Sequence, residues 1–344
     1  MGTMKIATAL LVLTMTGACA GNGAGDKKDP SAALAQSTTT TAASDPTTTT
    51  PAPAPAESST TTARLATPKT TVKQAAASPT TVSTGRTSGP VQTGPHATVF
   101  VAAAPTDPAD LDRLADQLAA DETALRSPAT PAADIPALAH RQQAAYRSLS
   151  ARPAALPAVL ARLPESLRPI AQANVDAGAE LRSMTKPKSD LPPWKIIPPP
   201  PAEELERYYK EAEARFGVPW VYLASVHLVE TRMGRIRGTS TAGAQGPMQF
   251  LPSTWKAYGM GGDINDPHDA IFGAANYLKA NGAAAGRMDN ALFRYNNSEH
   301  YVRAVTLYAQ QIQADPIAYR AYHQWQVYYI TPSGDLWLEE GYGT

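Results

Sequence analysis

The sequence predicts a mostly α-helical protein with a small C-terminal β-hairpin, preceded by a disordered tether. Three observations carry this. From residue 106 onward, apolar residues recur at helical spacing between glycine and proline stops. Residues 21–96 are dominated by Thr, Ser, Ala and Pro. Near the end, two short aromatic and β-branched runs flank Pro332-Ser333-Gly334-Asp335, a turn signal.

The first segment, residues 1–20, has a lysine at position 5, an apolar run from Ile6 to Thr16, and small residues before Cys19. This is the pattern of a secretion signal, too short to span a membrane as a mature helix. Cys19 is the protein's one cysteine, so no intrachain disulfide is expected. A lone cysteine after Thr16-Gly17-Ala18 resembles a bacterial lipoprotein box, with lipid attached to Cys19 and the protein anchored to the membrane facing the cell wall. Ala18-Cys19-Ala20 also fits ordinary cleavage after Ala20, which would release a secreted form.

Residues 21–96 have few large apolar side chains and cannot bury enough surface to offset the entropy of folding. An extended tether of this length reaches on the order of 200 Å at about 3.1 Å per residue.

Residues 97–190 read as a helical accessory subdomain. Leu111, Leu114, Ala115 and Leu118 form one face; Ile135, Leu138, Tyr146 and Leu149 continue it, as does the stretch from Ile170 to Leu181. A packing brace and a substrate-aligning subdomain both fit. Residues 191–201 form a proline-rich hinge.

Residues 202–315 read as the catalytic domain. Over 202–216, Leu205, Tyr208, Ala212 and Phe216 are expected on one face, Gly217 stops the helix, and Pro219 starts the next. A third helix from Pro267 to Lys279 buries Ile271, Ala275 and Leu278, with Asp266 as its N-cap and Gly282 as its stop. A fourth, 301–313, turns Val302, Val305, Tyr308, Ala309 and Ile312 inward. Residues 316–344 are an aromatic tail with the hairpin, read as a packed edge, although aromatics also stack on sugars.

Net charge is zero with no basic stripe, which argues against nucleic acid as a partner. Six scattered histidines and one cysteine give no metal-ligand spacing, so neither metal nor cofactor is expected. The loop 261–269 lacks the glycine and glutamate of a calcium loop.

Glu230 stands out chemically. It ends an uncharged run from Gly217 to Val229, and a carboxyl there loses hydration, which favours its protonated form. Such an acid can protonate a leaving group near neutral pH. A capping or snorkelling glutamate suits the same position. The following stretch, Gly234 to Gly246, is too rich in glycine for one helix and presents neutral groups that suit a sugar better than a phosphate.

Four motifs follow in order. They are Val-Glu-Thr-Arg-Met-Gly-Arg (229–235), Ser240-Thr-Ala-Gly-Ala through Gln249-Phe-Leu-Pro-Ser, Asp266-Pro-His-Asp-Ala-Ile through Ala-Asn-Tyr277, and Arg-Tyr295-Asn296-Asn-Ser. Together they resemble a lytic transglycosylase of the membrane-bound lytic transglycosylase B type, in the lysozyme-like superfamily, in an actinobacterial-looking secreted or lipoprotein form. The likeness covers roughly residues 202–314. It implies a lysozyme-like catalytic domain acting on peptidoglycan glycan strands as a monomer. It also implies Glu230 as the catalytic acid/base and Ser240 as a serine bonded to that carboxyl. Gln249, Tyr277, Tyr295, Asn296 and Tyr301 are implied as substrate-binding residues.

The segment between Glu230 and Ser240 is only nine residues, which should leave the cleft more open. No second carboxylate is obvious, so a single acid/base suffices if the substrate's N-acetyl group assists. The 1,6-anhydro product is implied by the resemblance alone. A hydrolytic muramidase or a glycan-binding lipoprotein without turnover are the alternatives.

Overall fold

The computed structural model describes residues 96–344; the expected secretion signal, Cys19 and nearly all of the expected tether lie outside them. Within it the chain is mostly helical, with a three-stranded and a two-stranded antiparallel sheet.

The chain enters as β1 (Ala97–Val101), then α1 (Pro108–Arg126), α2 (Ile135–Ala151), α3 (Leu156–Arg162) and α4 (Arg168–Ser183). Next come β2 (Lys195–Ile196), α5 (Ala202–Phe216), α6 (Trp220–Thr231), β3 (Ile236–Arg237), α7 (Pro252–Tyr258) and α8 (Pro267–Ala280). The chain ends with α9 (Met288–Asn296), α10 (Glu299–Ala314), α11 (Pro316–Gln324), β4 (Val327–Thr331) and β5 (Gly334–Leu338).

Boundary chemistry matches the sequence at several ends. Gly217 closes α5 in the left-handed region at φ 71°. Asp266 caps α8 by accepting from the Asp269 amide, with Pro267 in the first turn. On α5 the buried face is Leu205, Tyr209, Ala212 and Phe216. Tyr209 thus takes the place expected for Tyr208. At 3.6 residues per turn the fourth residue on lies closer to the face than the third. Tyr208 instead lies partly exposed and donates its hydroxyl proton to Glu204.

One apolar core runs from Ala104 to Trp325 and draws on α1–α4 as well as on α5–α11. Helix α4 packs along α10, and α2 packs against α4 and α11. The seam is also polar: Tyr322 donates to Asn174 at 2.7 Å, and the Trp325 indole donates to Gln142 at 3.0 Å. The aromatic tail is therefore a packed edge, with Tyr319, Tyr322, Trp325, Tyr328 and Tyr329 all buried.

The hairpin β4–β5 gains a third strand that the sequence reading placed among helices. β1 pairs antiparallel with β5, giving the order β1-β5-β4. The proline-rich segment is likewise tied down, since β2 pairs with β3, just beyond Glu230. A second apolar cluster, including Trp194, Ile196, Ile236, Tyr329 and Leu338, fills the space between this strap and the hairpin.

Candidate active site

Helix α6 has almost no polar face, and ten of its twelve residues are buried, which suits a helix at the centre of a domain. Glu230 lies in its last turn and is 1% exposed. The chain then turns sharply. Arg232 and Met233 both adopt left-handed backbone (φ 54° and 59°) before Gly234 (φ 86°). Side chains carrying a Cβ lose about 1–2 kcal/mol in that region, so the fold must hold them there. The Arg232 amide donates back to the His227 and Leu228 carbonyls, the Met233 amide donates to the His227 carbonyl at 3.2 Å, and Arg232 donates Nη1 to the Leu228 carbonyl at 2.7 Å. The turn lets Thr231 donate its hydroxyl to the Pro247 carbonyl at 2.6 Å and accept from the Gly234 amide at 3.1 Å. The end of the glutamate's helix is thereby fastened to the glycine-rich loop.

Tyr301 donates its hydroxyl to Oε1 of Glu230 at 2.8 Å. Tyr301 reaches the glutamate from the first turn of α10, where the cap Ser298 accepts its amide. Its ring lies parallel to Tyr295, with centroids 6.2 Å apart. Tyr295 donates to the Met248 carbonyl at 2.7 Å, and Tyr277, edge-on to Tyr295, donates to the Arg294 carbonyl at 2.8 Å. Burial, and then the nearby Glu230 charge, pushes the Tyr295 and Tyr301 hydroxyls well above their ordinary range. Tyr277 is pushed up to about 12, chiefly by burial. All three stay protonated donors at neutral pH. Tyr277 and Tyr295 are almost fully buried, with hydroxyls committed to main-chain carbonyls, so they form the wall behind the glutamate. Asn296 is half-buried at the end of α9.

Gln249 is left-handed at φ 51° and 1% exposed. Its Nε2 donates to the Gly246 carbonyl at 2.8 Å and faces the Gly238 carbonyl at 3.4 Å. Two carbonyls at the nitrogen fix the amide's orientation, because the flipped amide would oppose oxygen to oxygen. Oε1 is then a buried acceptor without a partner among the described residues. Leaving such an atom unsatisfied costs about 1–3 kcal/mol.

Ser240 sits in a tight turn, its Oγ accepting from the amides of Ala242 (3.3 Å) and Ala244 (3.0 Å). These contacts use its lone pairs and leave its proton to donate. The implied bond to Glu230 is not among the contacts this serine makes.

Sequence reasoning missed a clamp outside the motifs. Glu180 on α4 accepts from Arg303 at 2.7 and 2.9 Å and contacts His300 Nδ1 at 2.6 Å. His300 and Arg303 flank Tyr301, so an accessory helix holds the start of α10 on both sides of the tyrosine that touches Glu230. The Arg303 bond, joined by His300, keeps the Glu180 carboxyl below its usual range. Nothing local in the sequence joins residue 180 to residue 303.

One group among the described residues, Asp266, His268 and Asp269, brings potential metal-ligand atoms within 4.8 Å of one another. Its carboxylates already have structural roles. Asp266 caps α8, and Asp269 Oδ2 accepts the Asp263 amide at 2.9 Å.

A buried carboxyl with a tyrosine donor, beside a loop of neutral hydrogen-bonding groups, is equipped for proton transfer to and from an uncharged substrate. Residues 207–316 match the transglycosylase SLT domain. That span runs from α5 through α10 and contains Glu230 and every motif above. It supports a lytic transglycosylase of the SLT and lysozyme-like superfamily, an enzyme acting on peptidoglycan. No curated protein and no solved structure matches the chain.

Proposed function

We propose that this protein is a lytic transglycosylase of the membrane-bound B type, cleaving the β-1,4 bond between N-acetylmuramic acid and N-acetylglucosamine without water. The observation that carries the reading is Glu230, a carboxyl buried at a helix end with a tyrosine hydroxyl on its Oε1. Glu230 enters protonated and gives its proton to the glycosidic oxygen as the C1–O bond breaks. The substrate's N-acetyl oxygen covers C1 in the meantime. The carboxylate then takes the proton of the C6 hydroxyl, whose oxygen bonds to C1. This gives a 1,6-anhydro end and returns Glu230 to its starting state. Tyr301 stabilises the carboxylate between the two proton transfers. Gln249 Oε1 and the Ser240 hydroxyl supply a neutral acceptor and a neutral donor for the sugar. Residues 97–190 act as a brace, with Glu180 bearing on α10.

In this reading the protein works outside the cytoplasm, anchored through lipid on Cys19 or secreted after cleavage following Ala20, with the tether giving reach into the wall. Mass spectrometry of muropeptides released by the full chain tests the chemistry. Anhydro-muramic ends that disappear in Glu230→Gln are expected. Reducing ends would instead mean a hydrolase, and retained glycan binding without release would mean a binding protein.

A further inference from the structure

Beside the glycine-rich loop lies a second cleft of about 320 Å³, within the range of small-ligand sites. One wall is the strap, with Lys188, Asp190, Leu191 and Trp194; the other is the loop, with Thr239 and Ser240. The strap wall is rigid because its backbone is fixed at several points. The Lys188 amide donates to the Ile330 carbonyl at 3.1 Å. Tyr329 donates to the Asp190 carbonyl at 2.9 Å, and Tyr342 donates to the Pro192 carbonyl at 2.8 Å. The β2–β3 ladder follows directly. The two walls also touch. A Cβ on Gly238 would lie 2.7 Å from the Trp194 ring, so only glycine lets the loop come this close.

Lys188 is half-buried and Asp190 exposed, and neither side chain forms an ion pair with another described residue. A basic and an acidic residue thus line the same wall as Leu191 and Trp194, across the cleft from Thr239 and Ser240.

We propose that this cleft binds the short peptide stem carried by peptidoglycan strands, a zwitterionic ligand with small aliphatic side chains. A stem carboxylate meets Lys188 and a stem amine meets Asp190. Leu191 and Trp194 cover the aliphatic groups, while Thr239 and Ser240 bond the peptide amides. Ser240 belongs to the same loop as Gln249, so a seated stem registers the glycan against the catalytic groups. This assignment rests on the proposed peptidoglycan substrate.

The test compares the full chain with Lys188→Ala and Asp190→Ala on strands bearing stems and on strands stripped of them by an amidase. The ratio of KM for stem-bearing to stripped strands is expected to rise about two- to fivefold in each variant, the size of one solvent-accessible ionic contact, with kcat held. An unchanged ratio overturns the assignment. Calorimetric titration of a muramyl tripeptide ending in lysine separates this from failure of the enzyme reading. Binding by Glu230→Gln that is lost on adding Lys188→Ala supports the cleft even without turnover. No binding to the unaltered cleft overturns it whatever the turnover.

Discussion

Replacing Tyr301 with phenylalanine removes one oxygen and leaves the ring parallel to Tyr295, so the core around it is preserved. What is lost is the 2.8 Å bond to Glu230 Oε1. That bond favours the ionised carboxylate over the protonated acid, and burial keeps the tyrosine a donor throughout the working range. A hydrogen bond to an ionised group contributes about 1.5–3 kcal/mol. At 1.36 kcal/mol per pH unit, its loss makes the Glu230 proton harder to remove by about one to two units. Because Glu230 must enter protonated, kcat/KM falls as pH rises through its ionisation. In Tyr301→Phe this falling limb moves to higher pH by that amount. The assay is kcat/KM for soluble glycan strands across pH, with thermal unfolding run alongside to check that the fold persists. A limb that stays in place, or moves to lower pH, would refute the assigned role of Tyr301.

Three further outcomes follow from the packing. Gly246→Ala should cost more than about 2 kcal/mol in a urea titration, because φ is 74° and the new Cβ would lie 1.9 Å from the Ile264 carbonyl oxygen. Gly243→Ala, also at positive φ but with nothing within 4 Å, should cost only about 1 kcal/mol; equal costs would discount the clash. Asp335 is buried, which would raise its pKa, yet Arg147 and Arg182 hold it below the ordinary range. Its stabilising effect is present above the ordinary carboxylate range and lost as pH falls through its lowered folded value. Asp335→Asn should lose about 3–5 kcal/mol by stranding two guanidiniums, and an unchanged unfolding midpoint would contradict this. Burial lowers His140 to about 4 and His227 to about 3, so both are neutral when folded. Below 6.5 the unfolded chain takes up protons that the folded one excludes. Stability should therefore fall by about 1.4 kcal/mol per pH unit per histidine as pH drops towards these values; a flat urea midpoint between pH 7 and 4 would count against it.

Much of the helical scaffold was legible because its signals are local. Gly217, Pro219, Asp266 and Pro267 act within a residue or two of themselves, and the apolar stripe of α10 repeats at helical period. The tail read correctly for the same reason, since its alternating aromatics flank one turn. The misplaced tyrosine on α5 shows the limit of that period, where neighbouring residues compete for one face. What escaped was contact at a distance. β1 finds β5 more than two hundred residues later, and Val99-Phe100-Val101 carries no mark of that partner. Glu230 stood out because a lone acid after an apolar run is unusual in itself. The left-handed turn at Arg232 and Met233 could not be seen, because neither residue type favours that conformation. Nor could the Glu180 clamp, whose parts look like ordinary surface charges until α4 is laid on α10.

The pairing of β1 with β5 has a mechanical side. β1 is an edge strand, and it is the first element of the described residues. A pull applied ahead of Ala97, with the helices held, arrives first at the β1–β5 ladder. The opposite end of that ladder leads through β5 to Asp335 and its bridge to Arg182 on α4, the helix that also carries Glu180. Such a pull would therefore load α4, which holds α10 beside Tyr301 through Glu180, before it loads α6.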